Sequence, residues 1–165
     1  MYTKTKRVVV SAMLAAVICV ATMIIKIPSP LKGYINLGDC FVLIAGWVLS
    51  PFYGFLAAGI GSALADFLSG YGVYIPATFV IKGLMAYIAY LVFKWLDGRA
   101  NTDLSRIISA LVAEILMVAG YLAFESILYG FAPSAVNVPF NAVQGAVGMI
   151  LAFVIIKILK KRNII

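Results

Sequence analysis

Long apolar runs alternate with short polar stretches along the whole chain, and most of the runs have the length of a membrane-spanning helix. They predict helices at residues 8–27, 39–50, 51–69, 76–96, 106–129 and 139–159. The second run is the exception, because about ten apolar residues fall well short of the roughly 20 that cross a bilayer. We expect it to form a re-entrant or tilted pair with the third helix, which Pro51 can begin without losing a hydrogen bond.

Composition supports a membrane protein. Of the 165 residues, 64% are hydrophobic and only 12% are charged, whereas a soluble domain is about half apolar and a quarter charged. The fold class that follows is an all-α membrane protein, a compact bundle of six transmembrane helices with a short second helix. Residues 1–165 are expected to form one integral membrane domain.

The net charge of +7 reflects basic residues gathered at the ends of the predicted helices. Three clusters carry most of them: Lys4, Lys6 and Arg7; Lys94, Arg99 and Arg106; Lys157, Lys160, Lys161 and Arg162. This distribution follows the positive-inside rule and predicts that both termini are cytoplasmic. It does not form the continuous basic face of a nucleic-acid-binding protein, so nucleic acid is excluded as a partner.

Charge is costly in a bilayer, so each charged residue there needs an explanation, and five are candidates for a functional role. They are Asp39, Asp66, Lys82, Glu114 and Glu125. The rise of 1.5 Å per residue places most polar groups at one level in the outer third of the membrane. The pattern favours a polar cavity open to the outside. The structural alternative is that Lys82 pairs with Asp66 or Glu114 and only holds helices together.

Other residue patterns narrow the possible functions. The Ala12–Ala16 spacing and the small residues of the third helix, from Gly54 to Ala65, permit close helix packing, either within the chain or against a partner. Cys19 and Cys40 lie in apolar surroundings, and the chain has no histidine, so no metal or redox site is expected. Neither a Walker motif nor a hydrolase motif occurs, which argues against an enzyme.

Several motifs, in order along nearly the whole chain, resemble one family: GYINLGD, SPFYG, GIGSALADFLSGY, PATFVIKG and NVPFNAVQ. They resemble the substrate-binding S components of energy-coupling factor (ECF) vitamin transporters, and the closest resemblance is to the hydroxymethylpyrimidine or pyridoxine type. SPFYG departs from the pattern, because many members have Gly before the Pro; that position lies in a cytoplasmic turn.

The resemblance implies a multi-pass protein of the bacterial cell membrane that captures a small heteroaromatic vitamin or precursor from outside. It implies association with a transmembrane coupling subunit and two cytoplasmic ATPases, which alone would use ATP, so the chain itself needs no cofactor. Riboflavin remains a possible substrate. The loop from Lys32 to Asn36 is expected to close over the ligand.

The residues that we expect to carry these roles form two sets. The substrate-binding set combines aromatic faces with hydrogen-bonding groups: Asn36, Asp66, Tyr71, Tyr74, Lys82, Tyr121, Glu125, Asn141 and Gln144. The resemblance assigns partner coupling to small residues of the first helix: Ala12, Ala15 and Ala16. Asp39 is expected to cap the second helix and to interact with its dipole, so Asn36 is preferred to Asp39 as a ligand contact.

Two other functions fit the residues without the resemblance. A stand-alone, proton-coupled secondary transporter could relay protons through Asp66, Glu114 and Glu125. A purely structural membrane subunit would bind no ligand at all.

Overall fold

The computed structural model describes residues 4–29 and 33–162 and is almost entirely helical. Within these residues the chain forms seven α-helices, and a two-stranded hairpin and a short 3₁₀ helix at Gly72–Tyr74 connect some of them. The helices are α1 Lys4–Ile24, α2 Gly38–Val48, α3 Pro51–Leu68, α4 Ile75–Leu96, α5 Thr102–Tyr129, α6 Phe131–Ala135 and α7 Val138–Lys161.

The predicted six-helix bundle is confirmed. Among the described residues, the chain has five helical segments that are long and apolar enough to cross a membrane, and α2 is the short sixth helix. With 11 residues, α2 is only about 16 Å long. The loop after α5 also contains the single-turn helix α6, which the sequence did not predict.

Two helix boundaries differ from the prediction for local reasons. The first helix ends at Ile24, because Ile27 and Pro28 pair antiparallel with Ile35 and Tyr34 as strands β1 (Ile27–Pro28) and β2 (Tyr34–Ile35). The fifth helix begins at Thr102 rather than near 106, because the Asn101 side chain accepts a hydrogen bond of 2.8 Å from the Asp103 N–H and caps the helix.

The short helix α2 lies in the protein interior rather than in lipid. Val42, Leu43 and Ala45 are fully buried, and α2 packs against α1, α3, α4 and α7. The other helices screen α2 from the bilayer, so it does not need the length of a membrane span. This arrangement explains how an apolar run of about ten residues is stable at the centre of a membrane protein.

Small residues let the helices around α2 approach closely, as their spacing predicted. A Cβ atom at Gly61 of α3 would lie 2.5 Å from the Ala15 carbonyl oxygen of α1. The contact between α1 and α3 therefore depends on the absence of a side chain at this position.

Candidate functional site

A polar cavity lies at the end of the bundle where α3 ends and α4 begins. All nine residues of the predicted substrate-binding set line it: Asn36, Asp66, Tyr71, Tyr74, Lys82, Tyr121, Glu125, Asn141 and Gln144. The remaining lining residues are Thr22, Ser29, Gly33, Tyr34, Ser62 and Thr78. These residues come from the hairpin and the loops beside it, from the segment between α3 and α4, and from the five long helices α1, α3, α4, α5 and α7. The bundle therefore brings distant segments together at one level.

The free volume of the cavity is about 40 Å³. This volume holds about three water molecules. Binding of any larger molecule therefore requires side chains or the hairpin β1–β2 to move.

The hairpin covers the cavity through contacts of Tyr34. Its hydroxyl donates a hydrogen bond of 2.6 Å to Asp66 Oδ1, and its ring centroid lies 4.7 Å from that of Tyr71. Burial and the neighbouring Asp66 carboxylate raise the pKa of Tyr34, so the hydroxyl remains a donor at neutral pH. Lys26 adds a second tie, because its ammonium donates to the Ser69 hydroxyl at 2.8 Å. Lys32, the first residue of the predicted lid, lies outside the described residues.

A buried hydrogen-bond network connects Asn36, the last residue of the predicted lid, to α7, α2 and α4. The Asn36 backbone N–H donates to Gln144 Oε1 at 2.9 Å, and Gln144 Nε2 donates to Asp39 Oδ2 at 2.6 Å. Asp39 also accepts the Lys82 ammonium in a buried ion pair. Asn36, Gln144 and Lys82 all line the cavity, so a ligand there contacts a network that is already hydrogen-bonded.

The ion pair corrects the two structural pairings that the sequence suggested. The partner of Lys82 is Asp39, rather than Asp66 or Glu114. The capping role expected of Asp39 is also wrong. Asn36 Oδ1 accepts the Gly38 N–H at 2.8 Å, and the Asp39 side chain is directed into the bundle. Gly148 permits this, since a Cβ atom there would lie 2.8 Å from Asp39 Cβ.

The outer part of the wall combines a satisfied carboxylate with an unsatisfied amide. Glu125 accepts both the Asn137 amide, at 3.0 and 3.1 Å, and the Tyr74 hydroxyl, at 3.3 Å. The Asn141 side chain is half-buried and has no hydrogen-bond partner within residues 4–29 and 33–162. A ligand could therefore bind the Asn141 amide without displacing a protein contact.

Among the lining residues outside the predicted set, two carry buried hydroxyl groups without a partner among the described residues. Thr22 Oγ1 and Ser62 Oγ are buried, and neither has a hydrogen-bond partner in the described part of the chain. Sequence reasoning assigned Ser62 to helix packing and included Thr22 in an apolar run. The i, i+11 spacing of Ser11 and Thr22 was a sequence signal for a polar face on α1. The structure buries both side chains.

The three small residues assigned to partner coupling do not share one environment. Ala12 and Ala16 are exposed on the outer side of α1, whereas Ala15 is half-buried against α3. Among the five candidate spans, α1 has the smallest buried share, at 17%. The exposed side of α1 therefore presents the small side chains of Ala12 and Ala16 to the surroundings of the bundle.

Comparison with known proteins places this geometry in a family. Residues 2–161 match the family described as "ECF-type riboflavin transporter, S component". An uncharacterised protein from the gap 3′ region of Pyrococcus woesei is 34% identical over 147 residues, which cover 88% of this chain and 95% of the relative. The thiamine precursor transporter HmpT of Lactococcus lactis subsp. cremoris (strain MG1363) is 24% identical over 140 residues, or 84% of this chain and 77% of HmpT.

Two solved structures have the same fold. The S component of a bacterial ECF transporter superposes with a TM-score of 0.79 at 24% identity, covering 98% of this chain and 99% of the other. The S component for biotin from an ECF-type ABC transporter gives a TM-score of 0.69 at 22% identity, covering 98% and 95%. The chain is therefore a multi-pass membrane protein that belongs to the ECF-type riboflavin transporter S-component family.

Proposed function

We propose that the chain is the high-affinity substrate-capture subunit of an ECF-type ABC importer and binds a small heteroaromatic B vitamin or precursor from outside. The observation that carries the proposal is the single cavity on which all nine predicted binding residues converge. Tyr71, Tyr74 and Tyr121 provide aromatic faces for a ring. Asn141 and Gln144 provide groups that hydrogen-bond ring nitrogens and hydroxyls.

Hydroxymethylpyrimidine or pyridoxine is the favoured ligand, and riboflavin is the larger alternative. A single ring needs less rearrangement than three fused rings do, because the cavity has only about 40 Å³ of free volume. The similarity to HmpT, whose name refers to a thiamine precursor, supports the smaller ligand. The matching family description supports riboflavin.

Energy coupling requires partners in this proposal. The chain associates with a transmembrane coupling subunit and two cytoplasmic ATPases, and ATP is used only by them. The exposed face with Ala12 and Ala16 supports this assembly, because small side chains on a lipid-facing helix allow another helix to pack closely.

The decisive experiment identifies the ligand and tests the need for partners. Mass spectrometry of the gently purified protein should detect one co-purifying heteroaromatic compound. Calorimetric titrations with hydroxymethylpyrimidine, pyridoxine and riboflavin should then show tight one-to-one binding of one of them. Liposomes that contain only this chain should accumulate no ligand. Uptake driven by a proton gradient alone would contradict the proposal and support a secondary transporter, and the absence of any ligand would support a structural subunit.

A further inference from the structure

A second concave site lies between α5 and α7 and shares no lining residue with the polar cavity. Its free volume is about 410 Å³. Nine of its ten lining residues are apolar or glycine, and both helices contribute to its walls: Leu111, Ile115 and Val118 from α5, and Ala142, Ala146 and Met149 from α7. Small-molecule sites have this size and this apolar lining, and a few polar groups in them orient the ligand.

The tenth lining residue is Glu114. Its side chain is buried with 6% exposed surface, and neither carboxyl oxygen has a hydrogen-bond partner among the residues that the structure describes. Its carboxyl group packs on Gly145, where a Cβ atom would lie 2.8 Å from Oε2. Because a buried polar group without a partner is costly, this carboxyl group indicates an occupant that supplies a hydrogen-bond donor.

The surrounding charges favour a cationic donor. Glu114 lies within electrostatic range of Lys82 and Asp39, but the Lys82 ammonium is already paired with Asp39. Two carboxyl groups therefore share one ammonium, and an additional positive charge in the groove would balance the cluster. None of the ten groove-lining residues is basic, so the groove itself does not supply this charge.

The depth of Glu114 restricts the kind of cation. The residue follows Thr102, the first residue of α5, by about 18 Å along the helix, which places it near the bilayer centre. A phospholipid headgroup remains at the interface. We infer that the groove between α5 and α7 binds a lipid-soluble amine, an amphiphile with an apolar body and a single protonated amino group that pairs with Glu114.

The test uses the full chain in detergent micelles, with N,N′-dicyclohexylcarbodiimide as an apolar reagent for carboxyl groups and N,N-dimethyldodecylamine as the probe. This tertiary amine is protonated at neutral pH and cannot form an amide with the activated carboxyl group, so any protection reports binding. We expect the carbodiimide to add one reagent mass at Glu114, and N,N-dimethyldodecylamine to suppress this addition as its concentration rises. Dodecanol, which has the same chain length and no charge, should protect much less. Any modification of Glu125, which is paired with Asn137, should not respond to N,N-dimethyldodecylamine and serves as the internal control.

A thermal-unfolding measurement keeps the proposal testable if the reagent fails to reach Glu114. N,N-dimethyldodecylamine should raise the unfolding midpoint of the wild-type chain by more than it raises the midpoint of Glu114→Gln. This variant preserves the shape of the side chain and removes its charge. Equal responses of the two proteins, or equal protection by dodecanol, would overturn the proposal. Protection that appears only when the coupling subunit is bound would identify a partner helix as the occupant and would also overturn it. Neither readout involves a vitamin or an ATPase, so the result is independent of the proposed function.

Discussion

At the scale of single residues, the polar groups of the cavity differ in how far the protein itself satisfies them. Asp39, Lys82 and Gln144 form a closed buried network. The Asn141 amide and the Thr22 and Ser62 hydroxyls line the cavity and have no such partners among the residues that the structure describes. The first group should therefore determine mainly stability, and the second group mainly ligand affinity.

Replacing Lys82 tests the stabilising role of the buried network. The Lys82→Met variant leaves the Asp39 carboxylate buried without its cation, and should reduce the free energy of unfolding by about 3–5 kcal/mol. The double variant Asp39→Asn/Lys82→Met removes both charges and should recover most of this loss. Thermal unfolding in detergent measures both. If the double variant is no more stable than Lys82→Met, the ion pair does not have this role.

Replacing Asn141 tests affinity, and this prediction depends on the proposed function. The Asn141→Ala variant should weaken binding of hydroxymethylpyrimidine by about 1–1.5 kcal/mol, roughly tenfold, because one ligand hydrogen bond is lost. Its thermal midpoint should not change, since no protein hydrogen bond is broken. Titration calorimetry provides the affinity. Val143→Ala, at an exposed position two residues away on α7, is the matched control and should bind normally.

At the scale of elements, the hairpin β1–β2 and the contact between α1 and α3 can each be tested at one residue. The hairpin is held over the cavity by Tyr34, whose hydroxyl binds Asp66 and whose ring contacts Tyr71. The α1–α3 contact requires that Gly61 has no side chain. A substitution at Tyr34 should therefore loosen the hairpin, and a substitution at Gly61 should separate α1 from α3.

The Tyr34→Phe variant should release ligand faster. It retains the ring contact but loses a hydrogen bond to a carboxylate, which contributes about 1.5–3 kcal/mol. If the lid limits release, the dissociation rate should rise about tenfold or more, as measured by chasing labelled hydroxymethylpyrimidine with unlabelled compound. Tyr53→Phe, which is on α3 and outside the cavity, should leave the rate unchanged. Equal rates in the wild type and Tyr34→Phe would show that the hydroxyl does not hold the lid.

The Gly61→Ala variant should be less stable by about 1–3 kcal/mol, because the added methyl group would force α1 away from α3. Gly72→Ala provides the control. A Cβ atom at Gly72 would meet no atom within 4 Å, so its effect should remain within about 0.5 kcal/mol. Thermal unfolding of the two variants under one set of detergent conditions makes the comparison. Equal stabilities would contradict the close α1–α3 contact.

At the scale of the whole molecule, the features described so far lie on separate surfaces. The polar cavity lies at one end of the bundle, the groove between α5 and α7 lies on its side, and the small residues Ala12 and Ala16 are exposed on α1. This separation means that ligand binding and partner assembly should be separable by substitution.

Bulky substitutions on α1 should show this separation. Ala12→Trp and Ala16→Trp should preserve ligand affinity, because both side chains are exposed and neither lines the cavity. If the proposed function is correct, they should abolish ATP-dependent uptake with the coupling subunit and ATPases. Val17→Trp is the control, since it is also exposed but lies about 100° around the helix from Ala16. Transport in reconstituted liposomes and calorimetric binding provide the two readouts. Loss of binding with retained co-purification of the partners would contradict the division of roles.

The sequence by itself determined the six-helix membrane fold, because long apolar runs with few charges have no other stable arrangement in lipid. It also identified nine of the fifteen residues that line the cavity, since polar groups at one depth in several helices are directed away from lipid. Only the tertiary structure decided which groups pair. Asp39 and Lys82 are 43 residues apart, and their pairing depends on the burial of α2 and on the space at Gly148. The Thr22 and Ser62 hydroxyls have no partner among the described residues. This lack of partners and the groove at Glu114 both result from the packing of several helices, and the residue spacing within one helix does not predict such packing.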